Sequence, residues 1–309
     1  MRVSTVVAGL AATVPAFAQR PENTTICSYY TTALLKDDTG ANQLTLLTLL
    51  VNTVVIGNYT KPNVGVAVPG ILAKGNYMGT EVNLLPYFNG GLASSNRGGS
   101  SGVAINFLDD GGAAPLMKNM PSNGKDSKQY MLLTHLYQYF GALLGCSATG
   151  FPAYAGFGSQ ASVHRFMDLD AAEVGWFIQN VALAAASFGV AEADIAIVGK
   201  ALNSIFNVKC APPTTVIPAQ GPQLQSICQA DDCVLSPNAT CAAYPMTMEP
   251  AVANSTLAGG AMSNSTSGSM SNSTSPKSPS ATPSSYTGGA VKAGAALGAG
   301  LLGLIAFAF

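Results

Sequence analysis

The two ends of this chain constrain it most. Residues 1–18, MRVSTVVAGLAATVPAFA, place Arg2 ahead of an apolar stretch that closes on Ala16-Phe17-Ala18. A basic start, a short apolar run and an A-x-A site form the pattern of a secretory signal peptide. Cleavage after Ala18 is expected, with Gln19 opening the mature chain. Residues 293–309 are apolar to the last position, with no Lys or Arg after them. A stop-transfer helix keeps basic residues on its inner side, so this tail does not read as one. Small residues, Thr287-Gly288-Gly289-Ala290, precede it. Small residues before a terminal apolar tail are the pattern of a GPI-attachment signal, because the transamidase site admits only small side chains. Gly288 is the expected lipid-bearing residue, with Ser280 and Gly289 as alternatives, and residues 289–309 are the expected propeptide.

The composition suits such a route. Charged residues make up 9% of the chain, against about 25% in ordinary globular proteins. Ser, Thr and Asn take their place. With 14 Lys and Arg against 15 Asp and Glu and no basic cluster, the chain has no means of neutralising phosphates. This excludes a nucleic-acid partner. Six N-x-Ser/Thr sequons begin at Asn23, Asn58, Asn238, Asn254, Asn264 and Asn272, and each is an expected glycan acceptor on an accessible loop. Residues 246–288 turn Ser/Thr-rich, with SNST at 263–266 and again at 271–274. Such a segment buries too little apolar surface to offset its ordering entropy, so a disordered, O-glycosylated stalk is expected there.

The cysteines are Cys27, Cys146, Cys210, Cys228, Cys233 and Cys241. In an oxidising compartment six cysteines imply up to three disulfides, with 15 possible pairings. Four of them fall in residues 210–245, which read as a bridged, Pro-rich extension. Cys228-x4-Cys233 lacks zinc spacing and has no His beside it, so it is not a metal site.

The fold class reads as mostly α. Residues 41–56 form a nearly continuous apolar run, with Leu44, Leu47, Val51 and Val55 at helical spacing. Residues 62–128 are Gly- and Asn-rich and predict a loop-rich insertion with short elements. Residues 128–144 place Leu132, Leu136, Tyr139, Phe140 and Leu143 on one face. Asp170-Ala171-Ala172-Glu173 has capping-box spacing and opens a helix to about Phe188. Its stripe is Val174, Phe177, Ile178, Val181, Ala185 and Phe188. A last helix runs from Ala191 to about Phe206, with Ile195, Val198, Leu202 and Ile205 inward. Such apolar stripes are what a helical core requires.

The chain holds two histidines, His135 and His164. Around them the order of features from 128 to 206 resembles the second half of truncated (2-on-2) haem globins. The resemblance lies in the turn Leu144-Gly145-Cys146, Tyr154-Ala155-Gly156, His164, and the joint Phe188-Gly189-Val190-Ala191-Glu192. A fainter echo lies at Leu84-Leu85-Pro86-Tyr87-Phe88 and in the 41–56 helix. The resemblance implies a globin-like domain over residues 19–209. It makes His164 the proximal haem ligand, with His135 where some members carry a distal histidine. The implied pocket walls are Leu132, Leu136, Tyr139, Phe166, Val174 and Phe177. The distal Tyr of many relatives is missing, with Val54 and Val55 near its place. Without that donor to bound oxygen, the expectation shifts to haem holding, redox or gas sensing through two imidazoles. The other reading is a haem-free structural or adhesive cell-wall protein. The overall plan also resembles fungal GPI-anchored surface and wall proteins, which implies a lipid-held location and wall glucan as a partner.

No catalytic constellation is expected. Gly98-Gly99-Ser100-Ser101-Gly102 fits G-x-S-x-G, and Asp109 and His135 follow it in the order of a hydrolase triad. The nucleophile elbow, however, needs a strand before it and a helix after it. Here SSNR precedes the match and VAINF follows it.

Overall fold

The computed structural model describes residues 19–60 and 63–259. The signal segment, the stalk beyond residue 259 and the terminal tail lie outside them, as do Asn264, Asn272 and Gly288. The described residues fall within one compact unit. It is helix-rich, with α1 (Ile26–Leu35), α2 (Gly40–Ile56), α3 (Leu85–Phe88), α4 (Ala113–Leu116), α5 (Lys128–Leu144), α6 (Gln160–Val163), α7 (Ala171–Ser187) and α8 (Glu192–Phe206). Two short antiparallel ribbons complete it: β1 (Gly75–Tyr77) with β2 (Thr80–Val82), and β3 (Leu92–Ala93) with β4 (Ala251–Val252). Among the described residues, no single helix is long and apolar enough to cross a membrane.

The long helices start where a side-chain oxygen meets an orphan amide. Thr39 accepts from the Asn42 amide and Ser127 from that of Tyr130, each satisfying a donor with no partner in the first turn. The Asp170–Glu173 capping box is complete in both directions, at 2.7 and 3.1 Å. Helix α5 stops at Gly145, whose φ of 79° is left-handed, a conformation glycine adopts without steric penalty.

α2 is the central element and packs against α1, α5 and α7, while α7 also carries α8 and the β1–β2 ribbon. Leu47, Val51 and Val54 of α2 are buried, and Leu133, Tyr137 and Phe140 meet it from α5. The α5 face keeps Tyr139 and Phe140 of the expected stripe buried and adds Leu133 and Tyr137. Leu132, Leu136 and Leu143 are half-buried. The reason is polar. The Tyr137 hydroxyl donates to Asn52 Oδ1 at 2.6 Å inside the core. Asn52 Nδ2 in turn donates to the Leu116 carbonyl. Buried polar atoms need such partners, and this pair fixes how α5 turns toward α2.

Two boundaries differ from the sequence reading. Helix α1 was not expected. It buries Cys27 and Tyr30 and is tied to the chain just past α5 by the Cys27–Cys146 disulfide. Residues 246–259, assigned above to the disordered stalk, are part of the folded unit. The Arg165 side chain donates to the Met246 carbonyl, and β4 pairs with β3. The Ala253 and Asn254 amides both donate to the Gly91 carbonyl. None of its residues is buried, and it is held here by hydrogen bonds to its backbone. The 62–128 region matches its expectation of short elements. The disulfides pair Cys27–Cys146, Cys210–Cys241 and Cys228–Cys233.

Candidate functional site

His164 caps the end of α6. Its Nδ1 lies 2.8 Å from the Gln160 carbonyl oxygen, which accepts only. Nδ1 therefore carries the proton, and in the neutral ring Nε2 is left with its lone pair. Burial pushes its pKa below the ordinary histidine value, only partly opposed by that hydrogen bond. A backbone-oriented, neutral imidazole is the form that metal-ligating histidines take. His135, half-buried on α5, lies edge-on to Tyr154 with ring centroids 5.8 Å apart, and burial lowers its pKa as well.

The Cys-rich extension is bonded to both elements that carry the histidines. Gln225, 2% exposed, accepts from the Tyr139 hydroxyl at 2.9 Å. Its Nε2 donates to the Gly158 carbonyl at 3.1 Å. The neighbouring Leu224 carbonyl accepts from the Ala161 amide at 3.2 Å and from Ser159 Oγ at 3.0 Å. The extension thus stitches α5 to α6, the two elements that carry the histidines.

The other expected wall residues are likewise committed to protein. Phe166 is 1% exposed, beneath the Arg165 guanidinium at 5.0 Å. Val174 is buried in the core. Phe177 packs against Phe140 at 6.1 Å, and Leu132 is half-buried. Leu136 and Phe177 share the lining of a cavity of about 10 Å³, while a larger one of about 50 Å³ lies toward α8. Neither cavity is lined by His135 or His164. Cofactor pockets run to roughly 300–1,000 Å³. In this arrangement the residues do not fit haem.

The triad-like match also comes apart. Ser100 is exposed, and the Asp109 carboxylate accepts from the Lys128 and Gln129 amides at 3.1 and 3.0 Å. Asp109 is therefore a cap for α5.

The four described sequons are placed for modification. Asn23, Asn238 and Asn254 are exposed. Asn58 is half-buried, and its Oδ1 accepts from the Val68 amide, which leaves Nδ2 as the atom a glycan would occupy.

Two polar clusters escaped the sequence reading. Asp194 on α8 is 4% exposed and is held by Arg20 (Nη2 to Oδ1, 2.8 Å) and by the Tyr30 hydroxyl (2.9 Å). Burial pushes the Tyr30 phenol up to about 12, so it stays a donor. Glu173 accepts from the Tyr87 hydroxyl at 2.9 Å. Desolvation raises its carboxyl from 4.5 to about 7, aided by the charges of Asp170 and Asp168, while the hydrogen bonds from the Asp170 amide and Tyr87 oppose the shift. The Asp194 pairing spans 174 residues to Arg20 and the Glu173 pairing 86 to Tyr87, so neither has a local signal.

The Glu173 shift has a signed consequence. A carboxyl whose pKa is higher folded than unfolded supports folding fully below the unfolded value, and that support is lost as pH rises to the folded one. Glu173 is therefore expected to make the domain less stable at pH 7.5 than at pH 4.5, by roughly 2–3 kcal/mol from this group. Glu173→Gln should flatten that part of the profile, read as the difference in denaturation midpoint between variant and wild type across pH 4–8.

No family model, curated protein or solved structure matches this chain.

Proposed function

We propose that the chain is a surface-tethered glycoprotein whose helical domain, globin-like in the order of its elements, serves without haem as a structural or adhesive module. The observation that carries this reading is Gln225. It is buried and bonded to Tyr139 of α5 and to Gly158 just before α6, so the elements beside the two histidines are tied together by protein. Further support comes from three disulfides, which suit an oxidising extracellular setting, and from exposed sequon asparagines on different parts of the domain. The secretory and GPI signals supply the route, the membrane or the wall glucan supplies the anchorage, and the folded unit supplies a glycan-bearing surface.

The test is the chain displayed on a GPI-competent secretory host. Phosphatidylinositol-specific phospholipase C should release it, and glycopeptide mapping should find sugar on Asn23, Asn238 and Asn254. An intracellular, unmodified product would overturn the reading. The haem reading keeps one observation in its favour, the Nδ1–Gln160 bond that leaves His164 Nε2 with a free lone pair.

A further inference from the structure

The folded unit is covalently fixed as far as Cys241, which is bridged to Cys210. Tyr244 is the next fixed point. Its hydroxyl donates to the Ala211 carbonyl at 2.7 Å and accepts from the Ser226 amide at 3.4 Å. Beyond Pro245 the attachment changes character. No residue from 246 to 259 is buried. The segment is held instead by bonds to its main chain. The Met246 carbonyl accepts from Arg165 Nε at 2.9 Å, and the Met248 amide donates to the Arg165 carbonyl at 3.0 Å. β4 pairs with β3, the Ala253 and Asn254 amides share the Gly91 carbonyl, and the Leu257 carbonyl accepts from Asn89 Nδ2.

Gly91 shows how closely the segment is seated. A Cβ added there would lie 2.9 Å from the Ala258 nitrogen and from the Leu257 carbonyl carbon. Gly91 is not among the residues with positive φ, so the close approach of the segment, rather than the backbone conformation, is what calls for glycine at this position. The seat therefore fits this segment, yet nothing buried secures it. A stretch with few buried contacts and accessible backbone hydrogen bonds lies at the low end of local stability and opens without the rest of its domain.

We propose that residues 246–259 form a releasable strap, hinged after Tyr244, that peels from Arg165 and Gly91 as one unit while the helical bundle stays folded. Release uncovers the backbone of Gly91, Leu92 and Ala93. It also adds the strap's own length to the Ser/Thr-rich segment that follows, about 45 Å when fully extended. Tension favours the longer of two states, because extension along the load lowers the free energy by force times distance. A pull from the C-terminal side therefore draws the strap off before the bundle gives way. This response to load rests on the tethered reading above, whereas the detachment itself does not.

The experiment is hydrogen exchange on the full chain, read by mass spectrometry. Peptides covering the strap should exchange at least about 100-fold faster than those of α2 and α5. Gly91→Ala pushes on the Leu257–Ala258 end, and Arg165→Ala frees the Met246 end. Each should speed exchange across the whole strap by about tenfold, the loss of one charge-assisted hydrogen bond or its equivalent, and leave α2 and α5 unchanged. Arg165→Ala covers a Gly91→Ala chain that fails to fold. Held by handles at its two ends, wild type should lengthen by about 45 Å before the bundle unfolds, and Arg165→Ala should do so at lower force. Strap exchange as slow as that of α2, or variants that each speed exchange only at their own end, overturns the proposal. Fast exchange without the early extension overturns the response to load, and leaves the tethered reading to its own lipase test.

Discussion

Replacing Cys27 and Cys146 together by alanine is expected to lower the stability of the domain by about 5 kcal/mol, the largest effect of any pair of substitutions considered. The bridge closes 119 residues. In the chain-entropy account, a loop of that length removes about 5 kcal/mol of unfolded-state freedom, against about 2 kcal/mol for a five-residue loop. The bridge also joins α1 to the chain just past α5, and Cys27 is fully buried in the core. For a domain of this size the change amounts to about 10–20 °C in thermal midpoint. The Cys228–Cys233 pair, separated by 5 residues, should shift the midpoint by less than half as much. Circular dichroism melts of both double variants check this, and equal shifts would contradict it.

Arg20→Met is expected to be nearly as damaging. Asp194 is buried, and Arg20 supplies its counter-charge through two hydrogen bonds at 3.0 and 2.8 Å. Removing one partner of a buried pair strands the other charge in a low-dielectric site, at about 3–5 kcal/mol. The Tyr30 hydroxyl would remain as a neutral partner of Asp194, but it brings no charge. The double variant Arg20→Met with Asp194→Asn should recover part of the loss, because no charge is then left stranded. Denaturant titration of the two single variants and the double variant measures the coupling directly. A double variant as unstable as the sum of the singles would show that the two groups do not act as a pair. Arg20 stands one residue after the expected mature start at Gln19, so the outermost end of the folded chain holds one of its most buried charges.

Much of the helical frame was legible. The spacing of apolar residues marks α5, and the Asp170–Glu173 capping box marks α7, almost to the residue, because a helix start is a local event between residues three apart. Helix α1 was not legible. Its ICSYYTTALL segment mixes Thr and Tyr, which weakens the contrast between faces, although Thr25 at its start caps the Ser28 amide. The cysteine pairing was not legible either, since sequence alone does not choose among 15 frameworks. The end of the folded unit was misplaced because residues 246–259 are held by main-chain bonds to Gly91 and Arg165, which composition does not register.

The candidate site divides along the same line. Sequence order singled out His164 and His135, and the structure gives each a definite local setting. What occupies the neighbourhood between their elements depends on Gln225, 86 residues after its partner Tyr139. No periodicity or motif connects those two positions. A polar residue in a Pro-rich extension reads as solvated in sequence. Here it is buried because its amide satisfies both a phenol and a backbone carbonyl.

The central proposal is that the domain, its histidine-bearing elements tied together by the extension, works without haem. Its most direct test is the visible absorption spectrum of the full chain titrated with haemin, with His164→Ala alongside. The account predicts no saturable Soret band that depends on His164. A one-to-one band in wild type that disappears in His164→Ala would contradict it.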